Sequence, residues 1–213
     1  MKFTKNTNTI IIVAVAIIWA FVTANIDRTL GLAYLIMVFF YGWMMKSGKV
    51  YPIIKSDFNF GREFSIILVA SFFLIFIDSN IVKLYSVTGS STIMPTILTT
   101  PFAGLETSMG YTVYLFILML AVPITEEMFF RGSLIPFFRS QFNNEYLVAG
   151  ASAGAFGLWH YMAYGGVIAN MIVAGIFGLV AYYIVTKKGE LIHAIFLHGI
   201  YNGFTEWKRR FVI

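Results

Sequence analysis

Seven apolar runs, parted by short polar or basic segments, divide this chain of 213 residues. They are Ile10 to Ala24, Leu30 to Met45, Phe64 to about Val82, Tyr111 to about Phe138, Tyr146 to about Met162, Val167 to Thr186, and a shorter seventh, Leu191 to about Thr205. A helix rises ~1.5 Å per residue and the hydrocarbon layer needs ~20 apolar residues, so each run reads as one crossing. The expected fold is an all-α polytopic transmembrane bundle of about seven spans, forming one integral membrane domain over residues 1–213. Between the runs, Gly48 to Gly61 is polar enough to lie at the interface. Residues 84–110, rich in Ser, Thr, Gly and Pro, predict the longest non-helical connection. Pro123 interrupts the backbone hydrogen bonding of the fourth run and predicts a kink there.

Composition agrees with this pattern. Hydrophobic residues make up 59% of the chain and charged residues 12%, with a mean hydropathy of +0.79. A soluble domain carries about 25% charged residues, which places this chain in the bilayer. The net charge of +5 does not indicate nucleic acid. Its lysines and arginines punctuate the ends of apolar runs, and no basic cluster is long enough to follow a phosphate backbone. Lys2, Lys5, Lys46, Lys49, Lys55, Arg62, Arg139, Lys187 and Lys188 fall on one side if the N-terminus is cytoplasmic, which is the expected orientation in a multi-pass cell-membrane protein. Lys208, Arg209 and Arg210 run against it. Lys2 and Lys5 before an apolar stretch ending in Thr23 and Ala24 would also suit a cleaved signal peptide, but a first span is the plainer reading. The chain has no cysteine, which excludes disulfides and thiolate chemistry.

The candidate chemistry begins in the fourth run, at ITEEMFFRGSLIPFF, residues 124–138. A charge at mid-bilayer costs at least ~3 kcal/mol, so Glu126, Glu127 and Arg131 within six residues need a use or a partner. Glu127 and Arg131 stand one helical turn apart in the favourable order and can pair. Glu126 is turned about 100° away, without a partner in its own segment. Polar residues recur in later runs at His160, His198 and Asn202, the last two one turn apart on one face. Counting helical rise from Arg139, Tyr146 and Gly189 places Glu126, His160 and Asn202 ~20 Å from the same side. Gly150 and Gly154 form a G-x-x-x-G, and Ala153 and Gly157 share the face of His160, so neighbouring backbones can approach there. His193 is expected to be structural or interfacial.

A glutamate base, a histidine, and a second histidine with an amide on one face suit attack of water on a carbonyl, with donors for the oxyanion. Equally, Glu126, His160 and His198 could hold Zn²⁺ with a position open for water, although H-E-x-x-H is absent. The residues alone leave both open, with a slight preference for no metal.

The motifs Glu126-Glu127-Met128-Phe129-Phe130-Arg131, Phe156-Gly157-Leu158-Trp159-His160 and His198-Gly199-Ile200-Tyr201-Asn202 resemble the CAAX protease and bacteriocin-processing family, the Abi proteins. The likeness covers Pro123 to Gly203, within a catalytic core at 110–205. It implies that Glu126 activates water with help from His160, that His198 and Asn202 stabilise the oxyanion, and that Glu127 and Arg131 support them. It also implies a peptide or membrane-protein substrate, no cofactor, and roles in peptide maturation or bacteriocin self-immunity, with a prenylated substrate doubtful. Outside enzymes, the chain could be a membrane immunity or binding protein, or a small proton-coupled transporter using Glu126 as a relay. The lack of internal repeats argues against transport.

Overall fold

Helix periodicity sets large apolar side chains on the outward faces, while the interior takes an apolar core together with a set of polar side chains. The computed structural model describes residues 13–21, 23–24, 28–54, 60–87, 108–163 and 166–211. Among these every regular element is helical: α1 (13–21, continuing at 23–24), α2 (Arg28–Lys46), α3 (Phe60–Val87), α4 (Ser108–Glu127), a π-helical turn (Met128–Ser133), α5 (Leu134–Gln141), α6 (Glu145–Ala163), α7 (Ile168–Lys188) and α8 (Ile192–Phe211). On α2, Leu32, Ile36, Phe39 and Trp43 face outward at spacings of three and four, while Tyr34, Val38 and Tyr41 face inward. Within the apolar core the interior also holds Glu126, Glu127, Arg131, Ser133 and Ser152. An apolar outside with charged groups inside is the arrangement of a protein whose solvent is lipid. Arg28–Lys46, Glu63–Ile81 and Ile168–Lys188 are each long and apolar enough to cross a membrane.

The boundaries differ from the hydrophobic pattern at instructive places. The fourth run is helical from Ser108 to Gln141 without a non-helical break, but it changes pitch at the π turn. Pro123 sits inside α4. The expected connection at 84–110 is narrower, because α3 continues to Val87 and α4 starts at Ser108; residues 88–107 lie outside the described residues. The same holds for 10–12 of the first run.

Nor is all of the Gly48 to Gly61 segment interfacial. Ile53 is buried, and the stretch around it is drawn under the bundle by main-chain bonds. Tyr51 N donates to Gly132 O at 3.2 Å, while Leu191 N and Ile192 N donate to Pro52 O and Ile53 O, each at 2.9 Å. Both partners follow from helix chemistry. Gly132 O is available because Pro136, four residues on, has no N–H to donate, and the first N–H groups of α8 have no acceptor within their own helix.

Close backbone approach fixes the remaining packing. A Cβ on Gly199 would stand 2.2 Å from Met119 O, so α8 can lie on α4 only with glycine there. A Cβ on Gly157 would meet Met171 O at 2.7 Å, and one on Gly178 would meet the Ala153 Cα at 2.9 Å, which seals α6 against α7. Gly150 and Gly154 point outward with nothing within 4 Å of an added Cβ, so the G-x-x-x-G face is not the packing face. The seam runs through Ala153 and Gly157.

Two polar clamps hold the Lys188 end of the bundle. Glu63 Oε2 accepts from Lys188 Nζ at 2.5 Å and lies 3.3 Å from His193 Nε2, while His193 Nδ1 lies 3.3 Å from Glu190 Oε1. His193 therefore sits in an ion network tying α3 to α8, away from Glu126. In the second clamp, Arg139 donates to both oxygens of Glu145 at 2.8 and 2.7 Å, and also to the Tyr51 hydroxyl. Tyr182 donates to the same carboxylate. These bonds, the Arg139 guanidinium first and then Tyr182, hold the Glu145 carboxyl down to about 2.

Candidate functional site

Glu126 is the last residue but one of α4 and is fully buried. Its Oε1 accepts two hydrogen bonds, from Tyr34 Oη on α2 and from Trp159 Nε1 on α6, each at 3.1 Å. Its Oε2 has no hydrogen-bond donor among the described residues and lies 3.8 Å from His198 Nε2 on α8. The separation exceeds a hydrogen bond, yet a water ~2.8 Å from each atom would touch both.

Glu127, one residue on, faces a different set of helices. Its Oε1 accepts from Arg131 Nη1 at 3.0 Å and from His198 Nδ1 at 2.8 Å. The i, i+4 pair expected from sequence is present inside the bundle, with both side chains fully buried. Arg131 Nε and Nη2 have no hydrogen-bond acceptor among the described residues. Aromatic faces take that role, with the guanidinium carbon 4.1 Å from the Phe156 ring centre and 5.5 Å from that of Phe177. A desolvated contact of this kind is worth ~2 kcal/mol, which helps to offset the cost of burying the cation.

The π turn starts directly after Glu127. Leu134 N donates to Phe129 O, five residues back, and Ser133 Oγ donates to Met128 O at 3.2 Å. The wider turn needs a small residue at its centre. A Cβ on Gly132 would lie 2.6 Å from the Tyr41 ring. The turn also breaks the regular rise assumed when depth was counted from Arg139, so that count overstates the distance along this helix.

His198 is thus held between both carboxylates. A carboxylate only accepts, so the short bond to Glu127 places a proton on Nδ1 and turns Nε2 toward Glu126. His160 is fixed differently. Its Nδ1 lies 3.0 Å from Phe156 O, so Nδ1 carries the proton there and Nε2 is left as the acceptor. Its ring centre is 4.3 Å from that of Phe156, whose other edge meets the His198 ring at 5.7 Å. Asn202 follows His198 by one turn of α8 and is half-buried.

The structure therefore bonds Glu127, Arg131 and His198 into one group, with Glu126 Oε2 3.8 Å from His198 Nε2, the His160 ring against Phe156, and Asn202 on the His198 face. Sequence reasoning missed Tyr34, Trp159 and Phe177, and gave Phe156 no role. Tyr34 carried the one available signal, a hydroxyl in the middle of an apolar run, which needs a partner when buried. Trp159 was read only as part of the motif ending in His160, whereas its indole N–H turns inward to Glu126.

Zinc ligation by Glu126, His160 and His198 is the alternative that the residues alone left open. Among the described residues no three His, Asp or Glu side chains are placed to hold a metal ion.

Residues 108–204 match the family model described as type II CAAX prenyl endopeptidase Rce1-like. No curated protein and no solved structure matches the chain.

Proposed function

We propose, on the match of residues 108–204 to the Rce1-like type II CAAX prenyl endopeptidase family model, that the chain is an intramembrane endopeptidase that hydrolyses a peptide bond with water activated by Glu126. The observation that carries this reading is the asymmetry of Glu126. One oxygen is saturated by Tyr34 and Trp159, and the other faces His198 Nε2 at 3.8 Å with no donor of its own.

In the reacting state this reading has His198 donate from both nitrogens, from Nδ1 to Glu127 and from Nε2 toward the reacting centre. Glu126 Oε2 takes a proton from water as the water oxygen attacks the substrate carbonyl. The new oxyanion accepts from His198 Nε2–H and from the Asn202 amide, and the neutral His160 Nε2 orients the water. On collapse, Glu126 returns the proton to the leaving amine. Glu127 and Arg131 act through His198 by fixing its ring. No step runs through a metal.

We further propose that the N-terminus is cytoplasmic and that the physiological role is peptide maturation or bacteriocin self-immunity. The absence of native cysteine lets single cysteines at Lys5 and Lys188 report sidedness by impermeant labelling of intact cells; labelling of both from outside overturns the orientation.

The activity is tested on protein purified in detergent, with a panel of quenched-fluorescence peptides, both farnesylated at a C-terminal CaaX sequence and unprenylated. The intact chain should cleave at least one peptide, and Glu126→Ala should lose ~10²–10⁴-fold. Equal cleavage by both overturns the proposal. EDTA and 1,10-phenanthroline should leave the rate unchanged, and loss restored by Zn²⁺ would overturn the metal-free mechanism.

A further inference from the structure

The region outside the family match also reaches the site. Tyr34 lies on α2, well before residue 108. Its ring is buried and packs between Trp19 of α1 and Trp159 of α6, at centroid distances of 6.3 and 6.0 Å. That packing leaves its hydroxyl beside the indole N–H of Trp159, and both donors end on the same atom, Glu126 Oε1, at 3.1 Å. Neither residue belongs to the paired charges, and neither touches Oε2.

We infer that Tyr34 and Trp159 are positioning residues that clamp Oε1 of Glu126 so that Oε2, and not its twin, receives the proton of the attacking water. The inference rests on the proposed peptidase reading and deepens it to the level of the atom. A carboxylate free to rotate about its last bond presents either oxygen, or neither, to a water held beside His198. Two donors from two different helices stop that rotation, because turning the group would break both bonds at once. They also stabilise the ionised form, the one able to accept a proton. The donors come from opposite ends of the sequence. A domain of residues 108–204 alone would therefore contain the motif residues yet lack half of the clamp.

The experiment uses the full-length protein in detergent, with Tyr34→Phe, Trp159→Phe and the double substitution. Tyr34→Phe removes a single oxygen. A hydrogen bond to a charged group corresponds to roughly a tenfold effect or more. We expect each single variant to lower kcat about tenfold, with KM within about twofold and thermal unfolding as in the wild type. The acid limb of the kcat/KM profile should move to higher pH, because a donor that favoured the ionised base is gone. Unchanged kcat and pH limb in both variants overturn the inference, and so does a change confined to KM, which would mark a substrate contact. If Trp159→Phe does not fold, Tyr34→Phe decides alone; unfolding of that variant too makes the residues structural and overturns the inference.

A readout independent of turnover separates this inference from the peptidase reading. The indole ¹⁵N–H resonance of Trp159, assigned by its absence in Trp159→Phe, should move in Glu126→Ala whether or not any peptide is cleaved. A resonance that stays in place removes the clamp even if cleavage is robust. A resonance that moves, in a protein that cleaves nothing, leaves the clamp intact and removes the peptidase reading.

Discussion

Replacing Arg131 with methionine isolates the cost of the buried charges. The side chain is fully buried, donates to Glu127 at 3.0 Å and lies 4.1 Å from the Phe156 ring centre. Methionine keeps much of the volume and none of the charge. Removing one partner of a buried ion pair costs ~3–5 kcal/mol, because the other charge stays behind uncompensated. The lost contact with Phe156 adds up to ~2 kcal/mol, part of which the thioether recovers against the ring. Arg131→Met should therefore lower stability by about 3–5 kcal/mol, read by unfolding in mixed micelles followed through tryptophan fluorescence. The double variant Glu127→Gln/Arg131→Met should regain most of that loss, since neither charge then remains. Peptide cleavage should not return with it, because His198 Nδ1 loses the carboxylate that fixes its ring. The two readouts part only if Glu127 has a second role beyond pairing. A single Arg131→Met variant as stable as the wild type, or a double variant that recovers cleavage along with stability, would refute the account of this charge group.

Further expectations follow from other elements. Gly199→Ala puts a methyl 2.2 Å from Met119 O, so it should push α8 off α4, cost ~1–3 kcal/mol and reduce cleavage by moving His198. Gly154→Ala, with nothing within 4 Å, should leave thermal unfolding unchanged. The Glu145 clamp is sensitive to acid. Its carboxyl is held down to about 2 from an ordinary 4.5, so its contribution is fully present above pH 4.5 and is lost as pH falls through about 2. Pepsin should accordingly nick the turn at 142–144 faster at pH 2 than at pH 4, after correction for its intrinsic rate, and Arg139→Gln should abolish that difference.

What could be read from sequence was what periodicity encodes. The helical bundle, the Glu127–Arg131 pair and the shared face of His198 and Asn202 all follow from spacing along single helices, and each is present. Hydrophobicity alone could not show that Trp159 turns inward, because an indole suits an interface and a buried donor equally well. Nor could it show that the packing stripe of α6 is Ala153 and Gly157 instead of Gly150 and Gly154, since both satisfy the small-residue pattern. The partner of Glu126 on α2 is separated from it by 92 residues, a distance over which no periodicity speaks. The π turn was invisible for a related reason. Met128 to Ser133 carry no spacing signal for it, and the changed pitch shows in the bond from Leu134 N to Phe129 O, five residues back.

That surplus residue in the π turn has a topological consequence. Deleting one of Met128 to Ser133 would let the helix run on as uninterrupted α-helix, unbroken and just as apolar, but everything downstream would swing by about 100° around its axis. Arg139 would rotate off Tyr51 and Glu145. The insertion behaves as a phase shifter between two otherwise standard rods. It lets one continuous helix aim its carboxylates at the centre of the fold and, about three turns later, anchor its far end to an entirely different set of neighbours.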